Sequence, residues 1–468
     1  MRHALAAAAI ALLPMAASAQ GDPNVLRMAP AGDLRVLDPI WTSAAITLNF
    51  GQMIYDVVLT TDSQLRPQPQ MAESWRTSDD GLTWTFTLRP NLAFHDGTPV
   101  TANDVVASWK RWAARVTAGQ VLFARVASLT ATDPRTVELK LKEPFGPVLE
   151  ALSSPVLAPF VMRAADAATD PFQQVRDATG SGPFRFLPGE FVPGSFAAYE
   201  KFAGYVPRNE PVDMFAGGKQ VHVDRVEWKI IPEAATALAG LRTGEVDWIE
   251  MPLPDLLPSV ARVRDVQVGQ LEIWGLYPVL RFNHIQGPTK AQGVRRAIMA
   301  AIDTREVMTA IMGPDQSGWK APVGTFAAGT PYASNAGMEF MGPRPKEEIA
   351  RLLEEAHYDG AKVVLLHPTD QTFYHGMTEV CAAAIRKTGI NLDDQSMDWG
   401  TVVQRRAKKE PLDQGGWSLF ATSFPALDYL DPITAPALRG NGTAWYGWPV
   451  HEGIEKMRED WIAATDEG

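Results

Sequence analysis

The chain has 468 residues, of which 46% are hydrophobic and 21% are charged, and its 43 Lys and Arg against 54 Asp and Glu give a net charge of −11. The composition is that of an ordinary folded protein, and the length predicts two or three domains, because single cores stop growing near about 300 residues. An acidic chain without a block of Lys or Arg argues against nucleic-acid binding and against a polybasic membrane anchor.

The first nineteen residues have the pattern of a cleavable export signal. Arg2 precedes an apolar run from Ala4 to Met15, and small residues precede the expected cleavage site before Gln20. The run is too short to cross a bilayer, and the residue directly after the cleavage site is Gln20, not a cysteine. We therefore expect an exported chain without a bacterial lipid anchor.

Hydrophobic periodicity predicts strands and an amphipathic helix in residues 55–179. Trp84–Leu88 alternates apolar side chains with threonine, and Val137–Leu141 alternates apolar with charged side chains, as half-buried strands do. Thr101 with Asp104 predicts a capping box. The box begins a helix with the apolar stripe Val105, Trp109, Trp112 and Val116.

Residues 180–274 form a second block with mixed elements. A hairpin-like pair, Phe184–Leu187 and Ser195–Glu200, flanks the turn formers Pro188 and Gly189. A strand from Val226 to Ile230 and a helix over Glu233–Arg242 follow it. The block therefore contributes both strands and helices to the fold.

The third block begins near Trp274 and contains a strand–helix–strand unit. Its predicted elements are Lys362–His367, Phe373–Lys387 and Ile390–Leu392. Since parallel strands need a crossover connection, usually a helix, this order predicts an α/β fold with helices on the faces of a parallel sheet.

Ten short segments carry a recognisable signature in a fixed order. They are Met71–Trp75, Asp80–Arg89, Phe94–Gly97, Ala102–Val105, Gly180–Phe184, Glu200–Phe202, Arg281–Asn283, Val294–Ile298, Ala301–Asp303 and Leu353–Ala356. Together they resemble the signature of the family 5 extracellular solute-binding proteins, the periplasmic receptors of peptide and nickel ABC importers. The resemblance covers nearly the whole chain after the export signal.

The resemblance implies an α/β fold of the type II periplasmic binding protein kind, with two lobes joined by a hinge and one extra domain (cluster C). The implied domains are a signal peptide in 1–19, lobe I in 20–54 and 180–274, an extra domain in 55–179 that packs on lobe I, and lobe II in 275–468. Members of the family usually continue with a segment that returns to lobe I. We therefore expect a closing element of that lobe to be missing from this chain.

The implied function is a periplasmic receptor that closes on a peptide or similar small organic solute and delivers it to an inner-membrane ABC permease. We expect a monomer without enzymatic activity, cofactor or nucleic-acid partner. An oligosaccharide, an opine or a nickel complex are the alternative solutes. A secreted hydrolase is the rival from another class, although no serine-hydrolase elbow, zinc-protease motif or phosphate-binding loop occurs in the sequence.

In peptide-binding members a Gly-Trp strand is followed by an acid that pairs the ligand's α-ammonium group, and then by Asp-Pro. Gly416-Trp417 and Asp431-Pro432 match this pattern, but Leu419, Phe420 and Ala421 occupy the place of the acid. This departure puts a free-amino dipeptide in doubt. The predicted ligand contacts are Trp417, Phe420, Asp428, Asp431, Arg281, Asn283, Trp41, Trp399 and Trp445. Arg281 is expected either to bind a ligand carboxylate or to form a salt bridge between the lobes.

Several reactive-looking residues have structural interpretations. His95 and Asp96 precede Gly-Thr-Pro, where they are expected to hold a turn. The single cysteine, Cys381, is expected in the core. Arg405, Arg406, Lys408 and Lys409 are predicted to lie at a solvent-exposed helix end. The eight histidines lack the spacing of metal ligands, and the pair nearest in sequence is His367 and His375.

Overall fold

The computed structural model describes residues 22–464 except Ser43, Ala261, Glu272, Ile273, Pro322, Asp370 and Thr434. The expected export signal therefore lies outside the described residues. Among the helices that are described, none combines the length and apolar composition needed to cross a bilayer.

Within the described residues, the strands are β1 (Val25–Ala29), β2 (Asp56–Val57), β3 (Leu59–Thr61), β4 (Pro67–Pro69), β5 (Ala72–Thr77), β6 (Thr83–Leu88), β7 (Val126–Asp133), β8 (Thr136–Leu141), β9 (Phe160–Val161), β10 (Phe184–Phe186), β11 (Phe196–Lys201), β12 (Arg225–Lys229), β13 (Trp248–Ile249), β14 (Leu276–Phe282), β15 (Val363–Pro368), β16 (Leu392–Met397) and β17 (Leu419–Pro425). The α-helices of the same part of the chain are α1 (Ala45–Ile54), α2 (Ala102–Arg115), α3 (Thr117–Ala124), α4 (Val148–Ser153), α5 (Ala164–Ala167), α6 (Ala234–Thr243), α7 (Leu257–Val260), α8 (Gln292–Ala301), α9 (Thr304–Met312), α10 (Lys346–Glu355), α11 (Thr372–Lys387), α12 (Trp399–Arg405) and α13 (Glu452–Ala463).

The strands form three larger sheets. The first sheet has the order β10-β11-β12-β1-β13, the antiparallel sheet has the order β5-β6-β8-β7, and the second sheet has the order β14-β17-β15-β16. In the second sheet β15 runs parallel to β16 and β17, while β14 runs antiparallel to β17. We call the body with the first and antiparallel sheets the first lobe and the body with the second sheet the second lobe.

One continuous core joins the first sheet to the antiparallel sheet. It contains Trp228 from the first sheet, Phe86 from the antiparallel sheet, and Trp109 and Trp112 from α2, all fully buried. The predicted capping box of α2 is present, since the Asp104 carboxylate accepts from the backbone N–H of Thr101 at 2.8 Å. The predicted stripe of α2 thus faces the core that unites the two sheets.

His95 and Asp96 hold a turn, as the sequence predicts. The His95 ring bonds the carbonyl of Gly182 at 3.1 Å and the backbone N–H of Gly180 at 3.2 Å. Burial lowers the pKa of His95 to about 4, so the imidazole is neutral near pH 7. Asp96 accepts from the backbone N–H of Thr98 at 2.9 Å, and its hydrogen bonds to Thr98 lower its pKa to about 2.

The second sheet carries helices on both sides of its central strands, with α8 and α11 on one side and α12 on the other. Leu365 of β15 and Leu419 of β17 pack with Ile298 of α8 and Ile385 of α11 in one buried core. Cys381 of α11 lies in this core, which confirms its predicted role in packing. On the opposite side of the same strands, Val402 of α12 packs on Val364 and Phe420 in a second buried cluster.

Helix α13 packs on the first lobe, although the predicted boundaries place residues 275–468 in lobe II. Ile462 is fully buried in the core of the first lobe, and Glu459 forms an ion pair with Arg125. Glu455 of the same helix binds Arg439 at 2.8 Å. The helix thus ties the segment that follows the second sheet to the first lobe.

Candidate functional site

The strand register places a row of aromatic and charged side chains on one side of the second sheet. Arg281 of β14 lies opposite Phe420 of β17, and Tyr277 lies opposite Phe424. Since side chains alternate along a strand, these four point away from the core that contains Leu419. We call this side, carrying Tyr277, Arg281, Phe420 and Phe424, the aromatic face.

The rings of the aromatic face contact one another continuously. Phe424 lies 4.9 Å from Trp445 and 5.5 Å from Tyr429, measured between ring centres. Tyr429 lies 4.9 Å from Tyr277, and Phe420 lies 5.9 Å from Trp445. The result is an extended aromatic surface of the kind that lines small-molecule sites.

Arg281 places a cation on this surface without a counter-charge. Its Nε donates to the carbonyl of Tyr446 at 2.6 Å, and its Nη1 donates to the carbonyl of Ala437 at 2.9 Å. Among the described residues, no carboxylate pairs with the guanidinium and Nη2 has no hydrogen-bond partner. Burial lowers the pKa of Arg281 to about 10, so it remains charged near pH 7. A desolvated cation with a free donor is suited to an incoming anion.

A second arginine contacts the same group of aromatic rings. The guanidinium of Arg406, which follows α12, lies 4.8 Å from the ring centre of Tyr446 and 5.8 Å from that of Phe420. Burial lowers its pKa, and within the described residues its Nε has no hydrogen-bond partner. Arg406 therefore adds positive charge to the same aromatic surface.

An acidic group lies at the end of β17. Asp428 stands in a short 3₁₀ turn, Ala426–Tyr429, that directly follows the strand. Part of the residue remains open to solvent, yet burial of its carboxyl raises the pKa to about 7. Asp428 and Arg281 both influence the phenol of Tyr429, the acid raising and the cation lowering its pKa. A positive and an acidic group thus both lie close enough to Tyr429 to influence its phenol.

The comparison with known proteins identifies the family. Residues 66–441 match the profile of the bacterial extracellular solute-binding proteins, family 5. The chain belongs to this family. It is 38% identical over 463 residues to a probable peptide ABC transporter periplasmic-binding protein of Sinorhizobium fredii, covering 98% of this chain and 86% of the relative. The resemblance inferred from the ten sequence segments is therefore confirmed.

Solved structures confirm the fold of the family. The ABC transporter substrate-binding protein CtaP of Listeria monocytogenes superposes with a TM-score of 0.77 at 20% identity, covering 96% of this chain and 88% of that one. The periplasmic binding protein DppA of Helicobacter pylori, solved with the peptide STSA, gives a TM-score of 0.75 at 20% identity, covering 95% and 87%. The type II periplasmic binding protein fold with two lobes is therefore that of this chain.

Three of the predicted contacts of this family 5 protein are fully buried: Phe420 on the aromatic face, and Trp417 and Asn283 beside it. Trp417 and Phe420 are fully buried, with ring centres 5.0 Å apart. Asn283 is also fully buried, and its side chain donates to the carbonyl of Trp417 at 3.0 Å and accepts from the N–H of Ile285 at 3.0 Å. In this structure these residues support the surface and present no free face to solvent.

The remaining predicted contacts are divided between the lobes. Trp445 lies on the aromatic face, and Trp399 stacks on Tyr374 with ring centres 4.5 Å apart. Asp431 accepts from the N–H of Ile433 at 2.6 Å, as an acid does in a turn. Trp41 lies in the first lobe, where its indole donates to the carbonyl of Phe172 at 3.2 Å.

Four residues of the site were not predicted from the sequence: Arg406, Tyr374, Tyr429 and Tyr446. The interpretation of Arg405 and Arg406 as a solvated helix end is wrong, because Arg405 donates to Gln395 at 2.7 Å and Arg406 lies over aromatic rings. Lys408 and Lys409 are exposed, as expected. Trp399, Val402 and Arg406 stand at i, i+3 and i+7. This helical spacing could have indicated that Arg406 lies on the same side of the helix as Trp399.

Proposed function

We propose that the protein is the substrate-binding component of an ABC importer that takes up peptides or similar small zwitterionic solutes in the periplasm. The named peptide function of the Sinorhizobium relative and the peptide bound to the Helicobacter protein support this choice. The observation that carries it is the uncompensated guanidinium of Arg281, with the Asp428 carboxyl near the same tyrosine, Tyr429. A peptide offers a carboxylate to the first group and an ammonium group to the second.

Arg281 is suited to a peptide carboxylate because its Nη2 donor is free among the described residues while its other nitrogens bind backbone carbonyls. Those carbonyl contacts fix the guanidinium, so little side-chain freedom is lost when the ligand binds. The surrounding rings reduce the local dielectric and strengthen the attraction between unlike charges. The planar rings also provide contact area for peptide groups or side chains.

Asp428 takes the place of the acid that is missing from β17. Leu419, Phe420 and Ala421 are fully buried, so a ligand ammonium group cannot be paired at those positions. Asp428 lies only a few residues further on and is partly open to solvent. An ammonium group beside it would stabilise the carboxylate and lower its pKa from the raised value.

Transport requires that the ligand shift the protein between two states. Ligand contacts to both lobes favour a closed arrangement over an open one, and the closed form docks on the permease. The ligand is released unchanged, so the protein performs no chemistry on it. Small-angle scattering is expected to give a smaller radius of gyration when peptide saturates the site, and an unchanged radius would contradict this mechanism.

The direct test is calorimetric titration of the protein with short peptides of defined termini. We expect saturable binding, a rise in melting temperature with peptide concentration, and peptide recovered intact by mass spectrometry. Peptides with both termini blocked serve as the control and are expected to bind more weakly. Hydrolysis of the peptide would favour the secreted hydrolase, and no binding by any peptide would refute the proposal.

A further inference from the structure

Three potential metal ligands meet on the side of the second sheet that faces α11. His367 lies near the end of β15, and His375 and Glu379 lie one turn apart on α11. The Nε2 atom of His367 is 2.9 Å from Nδ1 of His375 and 3.6 Å from a carboxylate oxygen of Glu379. All three ligand atoms lie within 4.8 Å of one another.

The spacing of these atoms fits a tetrahedral ion. Zinc bonds of about 2.0–2.1 Å place neighbouring tetrahedral ligands roughly 3.3–3.4 Å apart. The distances of 2.9 Å between the two nitrogens and 3.6 Å from His367 to Glu379 lie on either side of that value. Small side-chain movements therefore suffice to admit an ion. Residues at i and i+4 share one face of a helix, so both α11 ligands approach His367 from the same direction.

The orientation of His367 is fixed by a carboxylate. Its Nδ1 bonds Asp394 at 2.8 Å, and the other oxygen of Asp394 accepts from Arg386 at 2.6 Å. Because an ionised carboxylate only accepts hydrogen bonds, Nδ1 carries the proton and Nε2 turns its lone pair toward His375 and Glu379. A carboxylate bonded in this way to the far nitrogen of a histidine is typical of histidines that bind a metal ion. His367 is almost fully buried, with 2% of its side chain exposed.

We propose that His367, His375 and Glu379 form a binding site for a divalent transition-metal ion of the zinc type. Two imidazoles and one carboxylate suit zinc, and they leave a fourth position for water. An ion can enter from solvent, because 56% of the Glu379 side chain is exposed. In this structure the two imidazoles are hydrogen-bonded to each other, and an ion would take the place of this contact.

The site goes beyond the proposed transport function. His367 lies on the side of β15 that faces α11, away from the aromatic face. Tyr374, which precedes His375 in the sequence, hydrogen-bonds Ser423 at 3.0 Å and stacks on Trp399. A bound ion would therefore fasten the first turns of α11 to β15 and hold Tyr374 in place. Zinc binding and solute binding are measured separately, so either result stands without the other.

The test is zinc titration of the full chain, free of affinity tags and treated with chelator. We expect one zinc ion per chain, and a cobalt derivative with the intense visible absorption of tetrahedral coordination. His375→Ala and Glu379→Ala are each expected to weaken zinc binding at least tenfold. Asp394→Asn is expected to weaken it by about 10- to 100-fold, because the carboxylate that orients a metal-binding histidine is lost.

His222→Ala is the matched control, because this exposed histidine lies in the first lobe. It is expected to leave the zinc affinity unchanged. His375 and Glu379 are partly exposed, so their replacement should preserve the melting temperature of the metal-free chain, which is measured in parallel. Zinc bound with equal affinity by the His375→Ala and Glu379→Ala variants would identify an adventitious ion only. That result, or no saturable binding at micromolar zinc, would overturn the proposal.

Discussion

The guanidinium carbon of Arg281 lies 4.9 Å from the ring centre of Trp445. The cation is held there by two backbone carbonyls, and no carboxylate among the described residues neutralises it. A structural cation would ordinarily be paired at such a position, because an isolated buried charge is costly. The arrangement therefore supports the proposed role of Arg281 as a ligand contact.

We expect Arg281→Met to weaken the binding of peptides that have a free carboxylate by about 10- to 100-fold, as loss of a charged hydrogen bond of about 1.5–3 kcal/mol predicts. Peptides with an amidated C-terminus should lose little affinity, and calorimetry with both peptide types measures the difference. Arg305→Met, at an exposed position on α9, is the control. Equal losses for free and amidated peptides would assign Arg281 a purely structural role.

The raised pKa of Asp428 predicts proton release on ligand binding. Near pH 6 the free carboxyl, with a pKa of about 7, is mostly protonated. A bound ammonium group lowers that pKa, so formation of the complex should release most of one proton near pH 6 and little near pH 8. Titrations in buffers of different ionisation enthalpy measure this number. Asp428→Asn should abolish the release, and an unchanged release would place the titrating group elsewhere.

The same group predicts a pH dependence of folding stability. The folded pKa lies above the ordinary value of 3.8, so the folded state holds the proton more tightly than the unfolded state. The contribution of Asp428 to the free energy of unfolding is therefore full below about pH 4 and is lost as the pH rises to about 7. Urea unfolding of the ligand-free chain across this range, compared with Asp428→Asn, measures it. The variant should lose less stability over the interval than the parent chain, and parallel curves would contradict the assignment.

Local elements could be predicted from the sequence, because short-range patterns determine them. The structure contains the predicted strand–helix–strand unit of the third block. Its helix α11 spans Thr372–Lys387, and the predicted helix was Phe373–Lys387. The following strand was placed too early, since β16 is Leu392–Met397 and carries polar residues such as Asp393 and Gln395. β16 lies at the edge of the second sheet, where polar side chains remain partly solvated and the apolar alternation is lost.

The composition of the site could be predicted only in part. Arg281, Trp445 and Asp428 were candidates, but their neighbours come from distant parts of the chain, as the contact of Arg281 with Tyr446 shows. The proposed metal ligands could not be predicted for the same reason, because His367 and His375 come into contact only when α11 packs on β15. The spacing of two residues along the sequence predicts their contact only when both lie on the same helix or strand.

A fully buried ion pair within the first lobe joins α2 to the segment between β1 and α1. Arg111 of α2 binds Asp38 at 2.6 Å, and neither side chain is exposed. Asp38→Ala leaves a buried guanidinium without its counter-charge, so we expect a loss of about 3–5 kcal/mol in the free energy of unfolding. Urea unfolding of the ligand-free chain checks this. Lys456→Ala removes an exposed pair with Asp460 and should cost less than about 1 kcal/mol. Similar losses for both variants would contradict the expected importance of burial.

Gly447 provides a test of Arg281 that leaves the arginine itself unchanged. Its φ of 89° lies in the left-handed region, and an added Cβ would lie 2.3 Å from the carbonyl oxygen of Phe282 and 2.9 Å from Nε of Arg281. Gly447→Ala must therefore displace the guanidinium or the strand that carries it. We expect a loss of stability and at least tenfold weaker binding of peptides with a free carboxylate.

Gly360→Ala is the matched control for this variant. Gly360 has a φ of 81°, and no atom lies within 4 Å of its added Cβ, so the substitution introduces only the backbone strain of about 1–2 kcal/mol. Its peptide affinity should equal that of the parent chain. If Gly447→Ala also retained full affinity while losing stability, the position of the Arg281 guanidinium would not matter for binding, and the ligand carboxylate would have to be held by another group.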